Sequence, residues 1–168
     1  CSIAISSAIY AQEFEITQEG ILEKGTNKDF VIIKSDGKSA KELYNSTVKH
    51  IGKINGKVLE DEKYEHLKWQ VYVPKITYVE ELLTKNYIDA YITIQLSFKD
   101  NRAKYEITAT NFKCPSNGKN LVIRATGMTD PSYFIYRRNG NLVETRAKSD
   151  IEDFFKRDIK SILEQDNW

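Results

Sequence analysis

The chain contains few of the residues that most often perform catalysis or bind metals. Its 168 residues include two cysteines and two histidines. Cys1 and Cys114 form no Cys-x-x-Cys pair, which excludes zinc-ribbon and thioredoxin-type sites. Cys1 lies in a segment that we do not count as part of the fold, so no structural disulfide is predicted. Cys114, in the loop segment KCPSNGK, is predicted to be a small packed residue and not a nucleophile.

An excess of charge of one sign is also lacking. Lys and Arg total 25, Asp and Glu total 24, and the formal net charge is +1. This balance provides no broad electrostatic surface for nucleic acid or for an anionic membrane. Hydrophobic residues make up 40% of the chain and charged residues 29%, which argues against disorder and favours one domain with its own core.

The N-terminal segment CSIAISSAIYA is apolar or small, and polar residues follow it. It resembles the second half of a secretory signal peptide, with Ile9-x-Ala11 before a cut at Gln12. We therefore expect residues 1–11 to be a signal-peptide remnant and the protein to be exported to the periplasm or cell envelope. Two alternatives stay open, namely a lipidated Cys1 and a cytosolic protein with a frayed N-terminus. Eleven apolar residues are too few for a transmembrane segment.

The first half of the remaining chain predicts a strand and a helix. The β-branched run DFVIIK predicts a strand over residues 29–34. Ser39 and Glu42 have the spacing of a capping box, and Asn55-Gly56 ends the helix. The apolar stripe of this helix consists of Ala40, Leu43, Tyr44, Thr47, Val48, Ile51 and Ile54. His50 falls off the stripe, so we expect it to be exposed and not a metal ligand.

A second strand is predicted over residues 66–73, where apolar and polar residues alternate. Trp69 belongs to its buried face, and His66 and Tyr72 belong to its outer face. Pro74 is expected to end the strand, because proline has no N–H to donate. Residues 75–86 are predicted to be a connector with a helical turn.

The next segment, YITIQLSFKDNRAKYEITAT, predicts a hairpin around an Asp100-Asn101 turn. One register separates apolar from polar residues on both strands. It pairs Phe98 with Ala103, Leu96 with Tyr105, Ile94 with Ile107 and Ile92 with Ala109 on the apolar face. On the polar face it pairs Ser97 with Lys104, Gln95 with Glu106, Thr93 with Thr108 and Tyr91 with Thr110. The helices are expected to pack on the apolar face.

The C-terminal part predicts short strands and a second helix. Asn117-Gly118 and Asn139-Gly140 are turn signals that favour strands over residues 121–125, 133–137 and 141–145. A second capping box runs from Ser149 to Glu152. The helix that follows has an apolar face of Ile151, Phe154, Phe155, Ile159 and Ile162.

These elements predict an α+β fold in which an antiparallel β-sheet is covered on one face by two helices. Residues 12–168 are expected to form this single domain. The polar outer face carries Thr, Gln, Ser and Glu with one tyrosine, and it lacks the stacking aromatics of an RNA-binding sheet, so no nucleic-acid binding is predicted.

No catalytic, cofactor-binding or metal-binding residue is predicted, and no cofactor is expected. Residues 52–57 resemble a phosphate loop but have the wrong glycine spacing and follow a helix instead of a strand. The carboxylates at 60–62 and 80–81 are predicted to be solvated, and solvated carboxylates are not tuned for acid–base catalysis. His50, His66 and Cys114 belong to no recognisable catalytic motif.

Two segments resemble the DUF4468 family of exported bacterial proteins of unknown function, which are frequent in Bacteroidetes. They are DFVIIKSDGKSAKELYNSTVKHI and AYITIQLSFKDNRAKYEITATNF, within about residues 29–113. The family usually has Lys-Asp-Gly where this chain has Lys99-Asp100-Asn101. The resemblance implies a TATA-binding-protein-like (TBP-like) fold with a strand, a helix, four strands and a helix. It implies no catalytic residue, and the fold alone does not imply DNA binding.

Two classes of function therefore remain open. The first is a non-catalytic exported or cell-envelope module, structural or binding a protein, a glycan or a small apolar ligand. The alternative is a small-ligand carrier or hydrolase with a cavity between sheet and helices, which would need polar groups that converge in a concave apolar site.

Overall fold

The structure is a computed structural model that describes residues 12–164, so the predicted signal-peptide remnant lies outside the described residues. In chain order the elements are β1 (Phe14–Thr17), β2 (Gly20–Glu23), β3 (Phe30–Lys34), α1 (Ala40–Lys53), β4 (Lys57–Glu62), β5 (His66–Glu81), β6 (Thr84–Lys99), β7 (Arg102–Lys113), β8 (Leu121–Arg124), β9 (Tyr133–Tyr136) and α2 (Thr145–Leu163). None of the described helices combines the length and apolarity that a membrane crossing requires.

The centre of the fold is a five-stranded antiparallel sheet with the strand order β3-β7-β6-β5-β4. Its inner face packs against α1 and α2, and we call its opposite face the outer face. The largest fully buried side chains come from both layers and from the strands β1 and β9: Trp69, Tyr105, Phe155, Ile16, Leu43, Leu67, Ile88, Ile92, Ile94, Leu96, Ile135 and Ile151. The core therefore lies between the sheet and the two helices, as predicted.

The first helix begins as its sequence predicts. The Glu42 backbone N–H donates to Ser39 Oγ at 3.2 Å, and the Ser39 N–H donates to Glu42 Oε2 at 2.7 Å. These reciprocal bonds satisfy two backbone donors that the helix itself cannot pair.

The β6–β7 hairpin has the predicted register near its turn, from Phe98–Ala103 to Ile94–Ile107. Beyond this point a β-bulge at Thr108 shifts the pairing by one residue, so Thr93 lies opposite Ala109 and Ile92 opposite Thr110. The predicted partners of these two residues and of Tyr91 were therefore wrong. The strictly alternating pattern contains no glycine or proline that would indicate the bulge.

The prediction that β5 ends at Pro74 was wrong. Pro74, Lys75 and Ile76 lie opposite Asp89 in an irregular segment, and regular pairing resumes at Thr77 with Ile88. Residues 75–86 are therefore not a connector with a helical turn. Residues 77–88 form a hairpin extension, here called the arm, whose turn is Leu82-Leu83.

The C-terminal elements differ from prediction in two respects. The strands β8 and β9 are present but pair in parallel, and instead of a strand over 141–145 the structure has an isolated bridge between Tyr136 and Leu142. The helix α2 begins at Thr145 with Glu144 as its N-cap, so Ser149 lies inside the helix and is no cap.

The order of elements is correspondingly longer than the predicted strand, helix, four strands and helix. The β1–β2 hairpin precedes this series and the β8–β9 pair interrupts it. The edge strand β4 was not predicted from its sequence, since all six of its residues are exposed and it has no buried face. The fold class, α+β with two helices on a mostly antiparallel sheet, is confirmed.

Candidate functional site

His50 is buried, contrary to the prediction that it would be exposed. It is 3% exposed, and its Nε2 lies 2.7 Å from Asp158 Oδ1 of α2. The Tyr105 hydroxyl of β7 donates to the other carboxylate oxygen of Asp158 at 2.7 Å. The three residues thus join α1, α2 and the sheet. His50 is buried because α1 contacts the sheet on one side and α2 on another, which widens its buried face.

This His–Asp–Tyr cluster contains residue types that are common in catalytic sites, but it is closed to solvent and therefore to a substrate. Asp158 is 5% exposed and Tyr105 is fully buried, so no substrate can reach the three groups. Burial, and secondarily Asp158, raises the pKa of Tyr105 well above its usual range, which keeps its hydroxyl protonated as a donor. The cluster is therefore a buried polar connection between three elements.

His66 and Cys114 lie elsewhere and have other partners. His66 Nε2 is 3.2 Å from Glu60 Oε2, and Lys68 Nζ donates to Glu60 Oε1 at 3.0 Å. Bonds from Lys68 and then His66 lower the pKa of Glu60. Cys114 is buried after the end of β7, with its Sγ 3.1 Å from Ser116 Oγ, which agrees with a packed loop residue. Within residues 12–164 no three His, Cys, Asp or Glu side chains are placed to hold a metal ion.

Three exposed tyrosines distinguish the outer face at the base of the arm and along it. Tyr72, Tyr87 and Tyr91 expose 48%, 42% and 46% of their surface. Tyr72 and Tyr91 are cross-strand partners with ring centroids 4.9 Å apart. We call these three residues the tyrosine patch. The sequence places Tyr91 and Tyr72 on the outer face. It did not indicate that they form one surface with Tyr87, because residues 75–86 were not predicted to continue the strands.

Asp89 fixes one side of the tyrosine patch. It accepts from the Tyr72 hydroxyl at 2.6 Å and from the Lys75 backbone N–H at 2.9 Å. The bond to Asp89 raises the pKa of Tyr72. Lys75 in turn places its Nζ 5.0 Å from the centroid of the Tyr87 ring. The irregular segment after Val73 is thereby tied to two of the three tyrosines.

A fourth tyrosine, Tyr78, connects the arm to α2. It lies opposite Tyr87, and the Lys85 ammonium and Arg146 guanidinium are 4.6 and 4.7 Å from its ring centroid. On the inner side of the arm, the Thr77 hydroxyl donates to Asp150 Oδ2 at 2.7 Å. The arm is therefore held by contacts on both of its faces.

The opposite end of the outer face has a different chemistry. A depression of about 190 Å³ lies there, lined by Ile32, Ser97, Lys99, Arg102 and Lys104. The Lys104 ammonium is 2.7 Å from Glu106 Oε1 and 4.5 Å from the Phe30 ring centroid. This depression, here called the socket, has an apolar floor and a basic rim.

The described fold belongs to the class of α+β proteins with two helices on a mostly antiparallel sheet. Among solved structures it is similar to a DUF4468 family protein from Bacteroides ovatus, with a TM-score of 0.54 and 11% identity over 80% of this chain and 84% of that one. It is also similar to a TBP-like protein from Parabacteroides distasonis, with a TM-score of 0.53 and 12% identity over 80% of this chain and 91% of that one.

Both solved neighbours agree with the DUF4468 resemblance noted in the sequence, and at these identities they show the fold alone. No protein-family model matches the chain. No curated protein matches it either.

Proposed function

We propose that this protein is a non-catalytic binding module whose contact surface is the tyrosine patch. The observation that supports it is the exposure of Tyr72, Tyr87 and Tyr91 on one side of a hairpin that extends beyond its neighbouring strands. Exposed tyrosines are enriched at recognition surfaces, because the ring provides apolar contact area and the hydroxyl provides a hydrogen bond.

The patch is organised before any partner binds. The Tyr72 hydroxyl is bonded to Asp89, the Tyr72 and Tyr91 rings pack together, and Lys75 covers Tyr87. Side chains that are already ordered lose little conformational entropy on binding, so more of the contact energy contributes to affinity.

The patch suits a protein or glycan better than a small apolar ligand. The tyrosines belong to an extended sheet face, whereas sites for small ligands are concave and enclose most of the ligand. An extended partner can cover several exposed rings at once, with the Tyr87 and Tyr91 hydroxyls available for hydrogen bonds.

The carrier or hydrolase alternative finds no supporting observation. Trp69, Leu96, Leu43 and Phe155 are among the large side chains that fill the space between sheet and helices. The socket opens on the outer face, away from this space.

Export to the cell envelope is part of the proposal and rests on the signal-like residues 1–11. Expression of the precursor in its host, followed by fractionation and N-terminal sequencing, tests it. A mature N-terminus near Gln12 outside the cytoplasm supports export, and fatty-acid labelling of Cys1 supports the anchored form. An intact N-terminus in the cytosol contradicts both.

Site-specific photocrosslinking in cells tests the binding role. A photoreactive phenylalanine analogue at position 91 should give discrete adducts with a protein or a glycan. The same analogue at Lys49, an exposed position on α1, is the control. Tyr72→Ala in the position-91 variant should reduce the adducts. Equal adducts at both positions, or none at position 91, would refute the proposal.

A further inference from the structure

Three positively charged residues face one another across the strands β3, β7 and β6 at the socket. Arg102 lies directly opposite Lys34 on one side and directly opposite Lys99 on the other. All three are exposed, and we call them the cationic row. Neighbouring strands are about 4.8 Å apart, so the three side chains start within about 10 Å of one another. Like charges in directly opposite positions destabilise a sheet, so the row costs the isolated protein stability.

The fold does not neutralise the cationic row, although it neutralises another cation at the same socket. Lys104 pairs with Glu106 at 2.7 Å. Within residues 12–164, no ion pair involves a member of the row. The acidic residues nearest in sequence are Asp36 and Asp100, and Asp100 accepts from the Ala40 backbone N–H at 2.9 Å instead. The positive charge of the row is therefore left for a ligand from outside the fold.

The apolar depression beside the row provides a second element of recognition. The socket has a volume of about 190 Å³, and Ile32, Ser97, Lys99 and Arg102 contribute to its lining. Long basic side chains present apolar stems below their charged ends, which explains how these residues line an apolar floor. The volume exceeds the roughly 150 Å³ of engineered cavities that accept benzene, so a six-membered ring fits.

We propose that the socket binds a small phosphate monoester whose apolar group is about the size of a ring. The ring occupies the socket, and the phosphate lies over Arg102 between Lys34 and Lys99. The planar guanidinium matches the geometry of phosphate oxygens and donates two parallel hydrogen bonds to them. A phosphate monoester carries about two negative charges at pH 7, so it neutralises more of the row than a carboxylate does. This site does not involve the tyrosine patch and goes beyond the proposed binding role.

The acidic residues of the outer face favour a small anion over an anionic membrane. Glu106 lies four residues from Arg102 on β7, about 13 Å along the strand. Glu60 of the edge strand β4 bonds to Lys68 on the same face. A flat anionic surface that contacts the row would also approach these carboxylates, which repel it. A small ligand contacts the row alone.

An NMR titration of the isotope-labelled full chain with phenyl phosphate tests the site. The backbone amide signals of Ile32, Ser97 and Arg102 should shift and reach saturation. Benzoate, a monoanion with the same ring, should bind more weakly, and so should inorganic phosphate, which has no ring. Neutral benzyl alcohol should leave these signals unchanged. Added salt should weaken the binding of phenyl phosphate, because the contact is ionic.

Two variants separate the contribution of the charge from that of the ring. Arg102→Gln should weaken the binding of phenyl phosphate and of inorganic phosphate by about tenfold, because it removes hydrogen bonds to a charged group. Ile32→Thr should weaken phenyl phosphate alone, by about threefold, because it removes apolar contact area. Lys49→Gln is the matched control, since it removes one positive charge from an exposed position on α1 and should leave both affinities unchanged.

The proposal is wrong if phenyl phosphate does not shift the socket signals, if Arg102→Gln binds as tightly as Lys49→Gln, or if benzyl alcohol binds as well as phenyl phosphate. Sedimentation with phosphatidylglycerol vesicles in the absence of phenyl phosphate binding would also overturn it and would assign the row to a membrane. Without ligand, Arg102→Gln should not lower the melting temperature, because it relieves repulsion between like charges. If it does, Lys99→Gln replaces it in the titration and should weaken phenyl phosphate by about threefold.

Discussion

His50 on α1 and Asp158 on α2 lie 2.7 Å apart in a part of the core from which solvent is excluded. Removing His50 takes one hydrogen-bond partner from the buried Asp158 carboxylate, which keeps the bond from the Tyr105 hydroxyl, and such a loss costs about 1–3 kcal/mol. We expect His50→Ala to lower the free energy of unfolding by this amount in a urea titration.

The control for this change is Lys160→Ala. Lys160 belongs to an exposed pair with Glu164 on the same helix, at 3.7 Å. Its loss should cost less than about 1 kcal/mol. Similar losses of free energy of unfolding for the two variants would show that the buried pair contributes no more to stability than the exposed pair.

The inner face of β6 provides a second prediction. Ile94 is fully buried, so Ile94→Asp should lower the free energy of unfolding by more than about 3 kcal/mol, because the carboxyl group finds no partner there. Thr93 is not a suitable outward control, since it is 7% exposed and its carbonyl accepts from the Thr108 hydroxyl. Thr108 itself is exposed, and Thr108→Asp should cost about 1 kcal/mol. Equal shifts in melting temperature would contradict the assignment of faces.

A third prediction is that the Leu82-Leu83 turn can be replaced by a sequence that makes the folded protein more stable. Replacing the pair with Asn-Gly relieves two left-handed residues and should raise the free energy of unfolding by about 1–2 kcal/mol. Thermal unfolding measures this directly. A lower melting temperature in the variant would mean that the leucines stabilise the arm, which contradicts the expected relief of strain.

The hydrogen bond of Tyr44 leads us to expect that the stability of the fold depends on pH in the alkaline range. Its hydroxyl donates to Asp61 Oδ1 at 2.7 Å, and this bond, with burial, raises its pKa to about 12. Because the folded pKa lies above the usual value of about 10, the contribution to stability is complete below pH 10 and disappears as the pH rises through about 12. The difference in stability between wild type and Tyr44→Phe should follow this course.

Absorbance at the phenolate band provides a second measurement for Tyr44. The wild type should contain a tyrosine that ionises near pH 12, and Tyr44→Phe should lose it. Tyr64→Phe is a suitable control, because Tyr64 contacts the Tyr44 ring and makes no hydrogen bond to Asp61. Loss of the same step in both variants would argue against the assignment.

Sequence patterns were reliable where a single local cause decides the structure. Four consecutive residues are enough to predict the Ser39–Glu42 capping box. The turn at Asp100-Asn101 and the alternation of apolar and polar residues are enough to predict the strand register near it. His50 was misplaced because one helical stripe describes burial against one layer, whereas α1 contacts two. That second contact comes from α2, more than ninety residues further along the chain.

The arm shows a different limit of the sequence. Proline is a strong reason to end a strand, and it does interrupt the ladder at Pro74. The chain resumes pairing at Thr77, and within the interruption Asp89 accepts from the Lys75 N–H, a contact between residues that no local pattern connects. Leu82-Leu83 has none of the turn residues that would have indicated the hairpin.

The irregular segment at Pro74 also constrains how the arm can change in length. Val73 and Thr77 are four residues apart on β5, and their partners Ala90 and Ile88 are two apart on β6. Both separations are even, so inward residues stay inward across the interruption. Natural deletions here should therefore come in pairs of residues. A single deletion would rotate one strand of the arm by half a turn and exchange Thr77, which now meets Asp150, with a tyrosine.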